Sequence, residues 1–454
     1  MAERRYSRPR RSIDEPRLIA FDAMRAINGD GAYANLVTSE LTAGLYPRDA
    51  GFVIELVHGT CRMQGSYDRI IEAAAGRALS SLQVEVVDVL RLGCHQLFRM
   101  RVPQHAAVAS SVDLAGVAIS ERVTGLVNAI VRKLSSKDFD QWCDQLGETL
   151  SPRAEMGLRL GHPHWIVDAL ADALHSDDDE LAALLEADNR PPVPMLVVRP
   201  GLAKRTELLT EGARRAPWSL WGVERPGNPS ELPAIRQGRA GVQDEGSQLV
   251  IQAATAVHPR PRGPWLDLCA GPGGKSALLR GLCPTLLVAA EPQVHRAELV
   301  ARALRAYPGG YQVVVADGRE PAWVAGSMAL TLADVPCTGL GALRRRPESR
   351  WRRDSSQVSE LAALQRELLT NAIASTMPGG IVAYVTCSPH RAETVDVVAQ
   401  ANGVEVLDAP ALLPDVPAAA SRLDPRFIQL WPHIHGTDAM FCALLRRIDA
   451  PRGA

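Results

Sequence analysis

Two cysteines stand where a thiol could act as a nucleophile. Cys337 follows an apolar run at 328–334, in Asp334-Val335-Pro336-Cys337-Thr338-Gly339-Leu340-Gly341. Cys387 follows another at 381–385, in Tyr384-Val385-Thr386-Cys387-Ser388. Cysteine is more often a small buried hydrophobe, and Cys61, Cys94, Cys143 and Cys283 read that way. A nucleophilic thiol has to ionise, and nearby cations favour this from a usual pKa of about 8.5. Lys275 and the arginines between 344 and 353 are sources of such a field. Four acids close or follow apolar runs: Asp267, Glu291, Asp317 and Asp334. Glu291 is placed to accept hydrogen bonds from a ribose diol, Asp317 to lie beside an adenine, and Asp334 to lie next to the reacting end.

The elements that would hold these groups follow a β–α–β–α rhythm from Gln243 onward. Apolar runs at 266–268, 286–290, 311–315, 328–334, 381–385, 404–407 and 441–445 are bounded by turns, as strands buried on both faces of a sheet are. Helices fall between them, most clearly over 359–376. Seven strands with five or six helices give a doubly wound α/β sheet, in which ligands bind beyond the carboxyl ends of the strands. The first strand runs into Cys269-Ala270-Gly271-Pro272-Gly273-Gly274-Lys275-Ser276. Its glycines permit turns and close approaches that a Cβ forbids, and the helix that follows offers free N–H groups. The spacing is neither that of a phosphate-binding P-loop nor a clean G-x-G-x-x-G. The turn in register with four acids points to a nucleotide or S-adenosylmethionine site built from Cys269, Ala270, Gly271, Pro272, Gly273, Gly274, Lys275, Glu291, Asp317 and Asp334.

The first third of the chain is different. Apolar residues recur at helical spacing from Pro16 to Leu134, with helices expected over 84–98, 108–119 and 124–134, and no strand signal. Residues 141–240 read as a small α+β domain that includes a rigid Pro191-Pro192-Val193-Pro194 linker. The expected organisation is a basic disordered tail at 1–14, an all-α domain at 15–140, the α+β domain at 141–240 and the doubly wound domain at 241–450. With 454 residues, 46% hydrophobic and 22% charged, the chain is ordinary for a soluble multidomain protein. It has no run of about 18 apolar residues and no apolar leader, so a cytoplasmic protein without a membrane partner is expected. Its eight scattered cysteines, without a C-x-x-C pair, argue against a disulfide scaffold or structural zinc. Net charge is −1, yet arginines cluster in the tail (Arg4, Arg5, Arg8, Arg10, Arg11) and again at Arg344, Arg345, Arg346, Arg350, Arg352 and Arg353. Local clusters matter more for phosphate contact than net charge does.

Asp-Val-Pro-Cys-Thr-Gly, the glycine turn and Thr-Cys-Ser together resemble the RNA 5-methylcytosine methyltransferase family, in the RsmB/Fmu (NOL1/NOP2/Sun) group that carries an N-terminal NusB-like domain. Segments 242–248, 341–351 and 435–441 are similar to further family segments, and 90–97 with 125–134 resemble the NusB-like RNA-binding domain. Ser388-Pro389-His390-Arg391 departs from the family, which more often has acidic and asparagine residues there. The resemblance implies a Rossmann-like S-adenosylmethionine domain and methylation of cytosine C5 in RNA. It makes Cys387 the nucleophile that attacks C6, Cys337 the group that assists release, and Asp334 a contact to the cytosine ring, with Lys275 beside them. Arg344, Arg345, Arg346 and Arg350 would hold flanking phosphates, and the target base must leave its stack. Small-subunit ribosomal RNA is the expected substrate, with transfer RNA, or a non-enzymatic RNA-binding or assembly role, as alternatives. A DNA cytosine enzyme would use the Pro-Cys cysteine, Cys337, and the second cysteine and NusB-like region argue against it. A small-molecule methyltransferase needs no covalent cysteine. A monomer without metal is expected.

Overall fold

The structure is a computed structural model that describes residues 11–448. Arg4, Arg5, Arg8 and Arg10 lie outside the described residues. Arg11 lies within them and pairs with Asp113 at 2.7 Å and Glu121 at 2.9 Å. The chain folds as two compact units. One runs to Asp168 and takes in Arg345–Arg352; the other spans Ala169–Arg344 and resumes at Arg353. Among the described residues no helix is long and apolar enough to cross a membrane.

The first unit is all helix, as the periodicity predicts. Helices Val84–Phe98 and Thr124–Leu134 begin and end where the sequence places them. Pro47 opens the 29-residue helix Pro47–Ala75, and Gly76 closes it in the left-handed region at φ 69°. Burial decides the packing: Leu90, Leu92, Val127, Ile130 and Val131 are core residues, each contributing roughly 1.5–3 kcal/mol by leaving water. The segment 90–97 is therefore largely interior, whereas 125–134 buries one face and exposes the other. The expected boundary at 140 falls later in the structure. Trp142, Cys143 and Leu158 join the same core, and the Trp142 indole donates to the Leu134 carbonyl at 3.0 Å.

The second unit holds two sheets. The smaller has the order β2-β3-β1-β4 and is antiparallel, built from β1 (Met195–Val198), β2 (Arg214–Arg215), β3 (Gly222–Glu224) and β4 (Ala240–Val242). Leu196 and Val198 pack within it, while Val197 joins the larger core. Glu245 accepts from the amides of Trp218 and Ser219, both at 2.7 Å. These contacts tie residues 195–240 to the core of the larger sheet, so the expected division at 240 does not part them.

The larger sheet comprises β5 (Trp265–Asp267), β6 (Leu287–Ala290), β7 (Tyr311–Val314), β8 (Met328–Asp334), β9 (Thr376–Thr386), β10 (Val404–Val406), β11 (Ile428–Gln429) and β12 (Phe441–Arg447). The order is β10-β12-β9-β8-β5-β6-β7, with β11 paired to β12. β5 to β9 pair in parallel, and β12 inserts antiparallel between β9 and β10. The sheet is thus mixed rather than wholly parallel, with β11 beyond the seven expected strands. Successive residues serve opposite faces. Trp265, Leu287, Ala289, Leu330 and Leu332 join one core layer; Leu266, Val288, Ala333, Val382 and Tyr384 join the other. Helices Glu245–Ala256, Gly274–Leu282 and Val294–Leu304 contribute to the first layer, and Ser356–Ser375 to the second. Helices on both faces make the doubly wound, Rossmann-like architecture and leave the carboxyl ends of β5 to β9 along one rim.

Candidate active site at the strand ends

All four acids stand on that rim. Asp267 ends β5, Glu291 follows β6, Asp317 lies three residues past β7, and Asp334 ends β8. Between β5 and the helix Gly274–Leu282 the chain turns through Cys269, Ala270, Gly271, Pro272 and Gly273. Gly273 has φ +104°, where a Cβ would also lie 2.7 Å from the Ala303 side chain. A Cβ on Gly271 would lie 2.3 Å from Glu291 Oε2. That closeness is used: the Gly271 amide donates to Glu291 Oε2 at 3.1 Å, and Arg296 donates to the Gly271 carbonyl at 2.8 Å. A Cβ on Gly274 would meet nothing within 4 Å, so the turn is packed on one side and open on the other. Asp267 is buried and accepts from Ser276 Oγ at 2.6 Å. Burial pushes its pKa up to about 7, against the pull of Ser276. Asp317 is held by Arg319 at 2.7 Å, which keeps its carboxyl below its usual pKa.

The reacting end lies between β8 and β9, which are neighbours. Lys275 Nζ, from the first turn of the helix after the glycines, donates to Asp334 Oδ2 at 2.8 Å. Burial opposes the charge on Lys275, but Asp334 outweighs it and its pKa is raised. Cys337 and Cys387 bring their sulfurs to 3.4 Å, near enough to share one proton. Each pulls the other's ionisation in opposite directions. Cys387, hydrogen-bonded to Cys337 and facing the charge of Lys275, is held below the usual thiol range despite desolvation and Asp334. Cys337, hydrogen-bonded to Cys387 and desolvated, is pushed well above it. The third rim cysteine, Cys269, is pushed well up by burial. Of the two, Cys387 is the thiol that ionises more readily.

Three segments with family resemblance converge beside this pair. The Gly341 amide donates to the Cys387 carbonyl at 2.8 Å, and the Ala439 amide to the Gly341 carbonyl at 2.9 Å. A Cβ on Gly341 would lie 1.9 Å from the Ala439 carbonyl. Asp244 caps its helix through the Gly246 amide at 2.8 Å and accepts from the Asp438 amide at 3.2 Å. Arg344 donates to the Gly436 carbonyl at 2.8 Å. Two residues the sequence reading passed over complete the site: Glu393 and Gln365 join Ser388 in a buried network behind the cysteines. The Thr-Cys-Ser motif pointed towards it, but nothing in spacing located Glu393.

The arginine cluster has a different setting. Arg350 is fully buried in the all-α unit, where its guanidinium donates to the Gly161 carbonyl at 2.9 Å. Trp351 donates to the Cys61 carbonyl at 2.7 Å. Arg352 donates to the Ile27 and Ala32 carbonyls at 2.7 and 2.6 Å. Arg346 lies over the Tyr33 ring at 4.8 Å. Arg345 and Arg346 are exposed.

Comparison with known proteins accords with both units. Residues 254–446 match the family model of the 16S rRNA methyltransferase RsmB/F, and 14–136 match the NusB family. A putative methyltransferase of Mycobacterium tuberculosis is 46% identical over 97% of this chain and 98% of its own length. The ribosomal RNA small subunit methyltransferase B of Pseudomonas syringae pv. tomato is 29% identical over 96% of this chain and 97% of its own. The crystal structure of PH0851 has the same fold, with a TM-score of 0.80 at 20% identity, over 96% of this chain and 100% of the other.

Proposed function

We propose that this chain, which belongs to the RsmB/F family of 16S rRNA methyltransferases, methylates C5 of a cytosine in small-subunit ribosomal RNA through covalent attack by Cys387. The single observation that carries the reading is the pairing of the Cys337 and Cys387 sulfurs, 3.4 Å apart, beside the Lys275–Asp334 ion pair. S-adenosylmethionine fits the donor set of the rim, and it would supply an electrophilic methyl group there. Glu291 offers carboxylate oxygens to a ribose diol and Asp317 a carboxylate to an adenine. The 271–274 backbone lets a ligand approach beside Gly274, where a side chain would stand in open space.

Cytosine C5 is a weak nucleophile until C6 is saturated. Addition of the Cys387 thiolate to C6 forms a C–S bond and moves electron density to C5, which then takes the methyl group. Asp334, anchored by Lys275, is positioned to accept from the exocyclic amine of the ring and so to orient C6 towards Cys387. Once Cys387 is bound in the C–S bond, it no longer carries the negative charge that suppresses ionisation of Cys337. Cys337 can then give its proton to solvent and, as a thiolate, take the C5 proton, and the C5–H electron pair re-forms the double bond as Cys387 leaves. Of the arginine segment, phosphate contact falls to the exposed Arg345 and Arg346, since Arg350 is spent inside the all-α unit.

The test is transfer of a labelled methyl group from S-adenosylmethionine to unmodified 16S ribosomal RNA and to transfer RNA, followed by digestion to nucleosides. Label in 5-methylcytidine from 16S RNA alone is expected. Label in another nucleoside would overturn the chemistry; label in transfer RNA would overturn the substrate.

A further inference from the structure

Behind the two cysteines lies a carboxylate that the reaction above does not use. Glu393 is fully buried. Its Oε1 accepts from the Thr338 amide at 2.8 Å and from the Gln365 carboxamide at 3.1 Å. Its Oε2 accepts from the Thr338 hydroxyl and from Ser388 Oγ at 2.6 Å. The two hydroxyls are themselves 3.0 Å apart. Gln365 also donates to the Pro336 carbonyl at 2.9 Å, and Tyr384 donates to the carbonyl of Glu393 at 2.7 Å. Thr338 follows Cys337, and Ser388 follows Cys387. One carboxylate therefore grips the residue next to each thiol, in the segments that follow strands β8 and β9.

The donors are an amide, a carboxamide and two hydroxyls, none of them charged. Burying a carboxylate costs several kcal/mol unless its lone pairs are filled, and four donors fill them here. A glutamine would offer one acceptor atom where four donors converge. We propose that Glu393 is a positioning residue that holds the Cys337 and Cys387 thiols at their working separation and, through its charge on the Cys337 side, directs ionisation to Cys387. The inference rests on the reading that these two thiols are the reacting pair. It concerns how their difference is maintained. The titratable groups facing the pair are Lys275, Asp334 and Asp438 towards Cys387, and Glu393 towards Cys337. Removing Glu393 leaves Cys337 without the negative charge that opposes its ionisation, and frees both loops to shift.

The experiment is limited alkylation of the full-length protein with iodoacetamide between pH 5 and 10, with peptide mass spectrometry at both cysteines. In the parent protein Cys387 should react first throughout the neutral range. Glu393→Gln should lower the Cys387-to-Cys337 rate ratio about ten-fold, and Thr338→Val and Ser388→Ala each about three-fold, the scale of losing one or two buried hydrogen bonds. In turnover, Glu393→Gln should lower kcat and leave KM for S-adenosylmethionine unchanged, because Glu393 bonds neither the glycine turn nor Glu291. A folded Glu393→Gln protein with the parent's ratio and pH profile would overturn the proposal. If that variant does not fold, unchanged ratios in both Thr338→Val and Ser388→Ala would overturn it instead. The alkylation contains no RNA. A shifted ratio in a protein that never methylates cytosine would therefore sink the cytosine reading and leave the positioning role standing.

Discussion

The glycine turn at 269–275 and the arginine segment at 344–353 invite the same reading from sequence, since each is a short run of residues suited to anionic or nucleotide ligands. The structure treats them oppositely. At the turn, protein packs against one side: Ala303 against Gly273 and Glu291 against Gly271. The other side is open at Gly274. In the arginine segment, protein closes round the side chains. Gly65 lacks the Cβ that would lie 2.2 Å from the Trp351 ring, and Arg350 gives its guanidinium to a backbone carbonyl. A guanidinium can donate to backbone carbonyls as well as to phosphates. Residue type alone therefore does not separate an arginine that binds a ligand from one that binds its own chain.

The contrast can be broken from either side. The largest effect is expected at the turn. Gly273→Ala puts a Cβ where φ is +104° and the Ala303 side chain is 2.7 Å away. The strain must move the turn, and S-adenosylmethionine affinity by calorimetry should fall roughly 100-fold, equivalent to about 2.7 kcal/mol. An unchanged affinity would show that the turn does not shape the ligand site. A smaller and different effect is expected in the arginine segment. Trp351→Ala removes a half-buried ring and its bond to the Cys61 carbonyl. It should destabilise the all-α unit by about 2–3 kcal/mol in denaturant unfolding, the low side of aromatic truncations, with cofactor affinity intact. A loss of RNA affinity without loss of stability would reverse the assignment and restore the segment as a ligand surface.

The same contrast explains what was legible in sequence. The strand ends could be read because a buried parallel strand announces itself as a short apolar run, and a residue just after it must lie on the rim. That logic located Asp267, Glu291, Asp334, Cys337 and Cys387 without tertiary information. Thr124–Leu134 was legible because its apolar residues recur at helical spacing on one face. β12 was visible as a strand but not as an antiparallel insertion, because direction is decided by its partner β9. Residues 141–160 were assigned away from the bundle because amphipathic helices do not state what they pack on. Glu393 was invisible for the same reason: its meaning lies in Thr338 and Ser388, 55 and 5 residues away, which only the fold brings to one carboxylate.

The central claim is that the two cysteines differ in role, and a trapped intermediate reads this most directly. Small-subunit ribosomal RNA and S-adenosylmethionine are incubated with the parent protein, Cys337→Ala, Cys387→Ala and the double variant, and denaturation-resistant adducts are resolved on a gel. Cys337→Ala should accumulate an RNA–protein adduct, because the C–S bond forms and is not released, while Cys387→Ala and the double variant should form none. Adduct in Cys387→Ala that disappears in the double variant would make Cys337 the nucleophile and contradict the account.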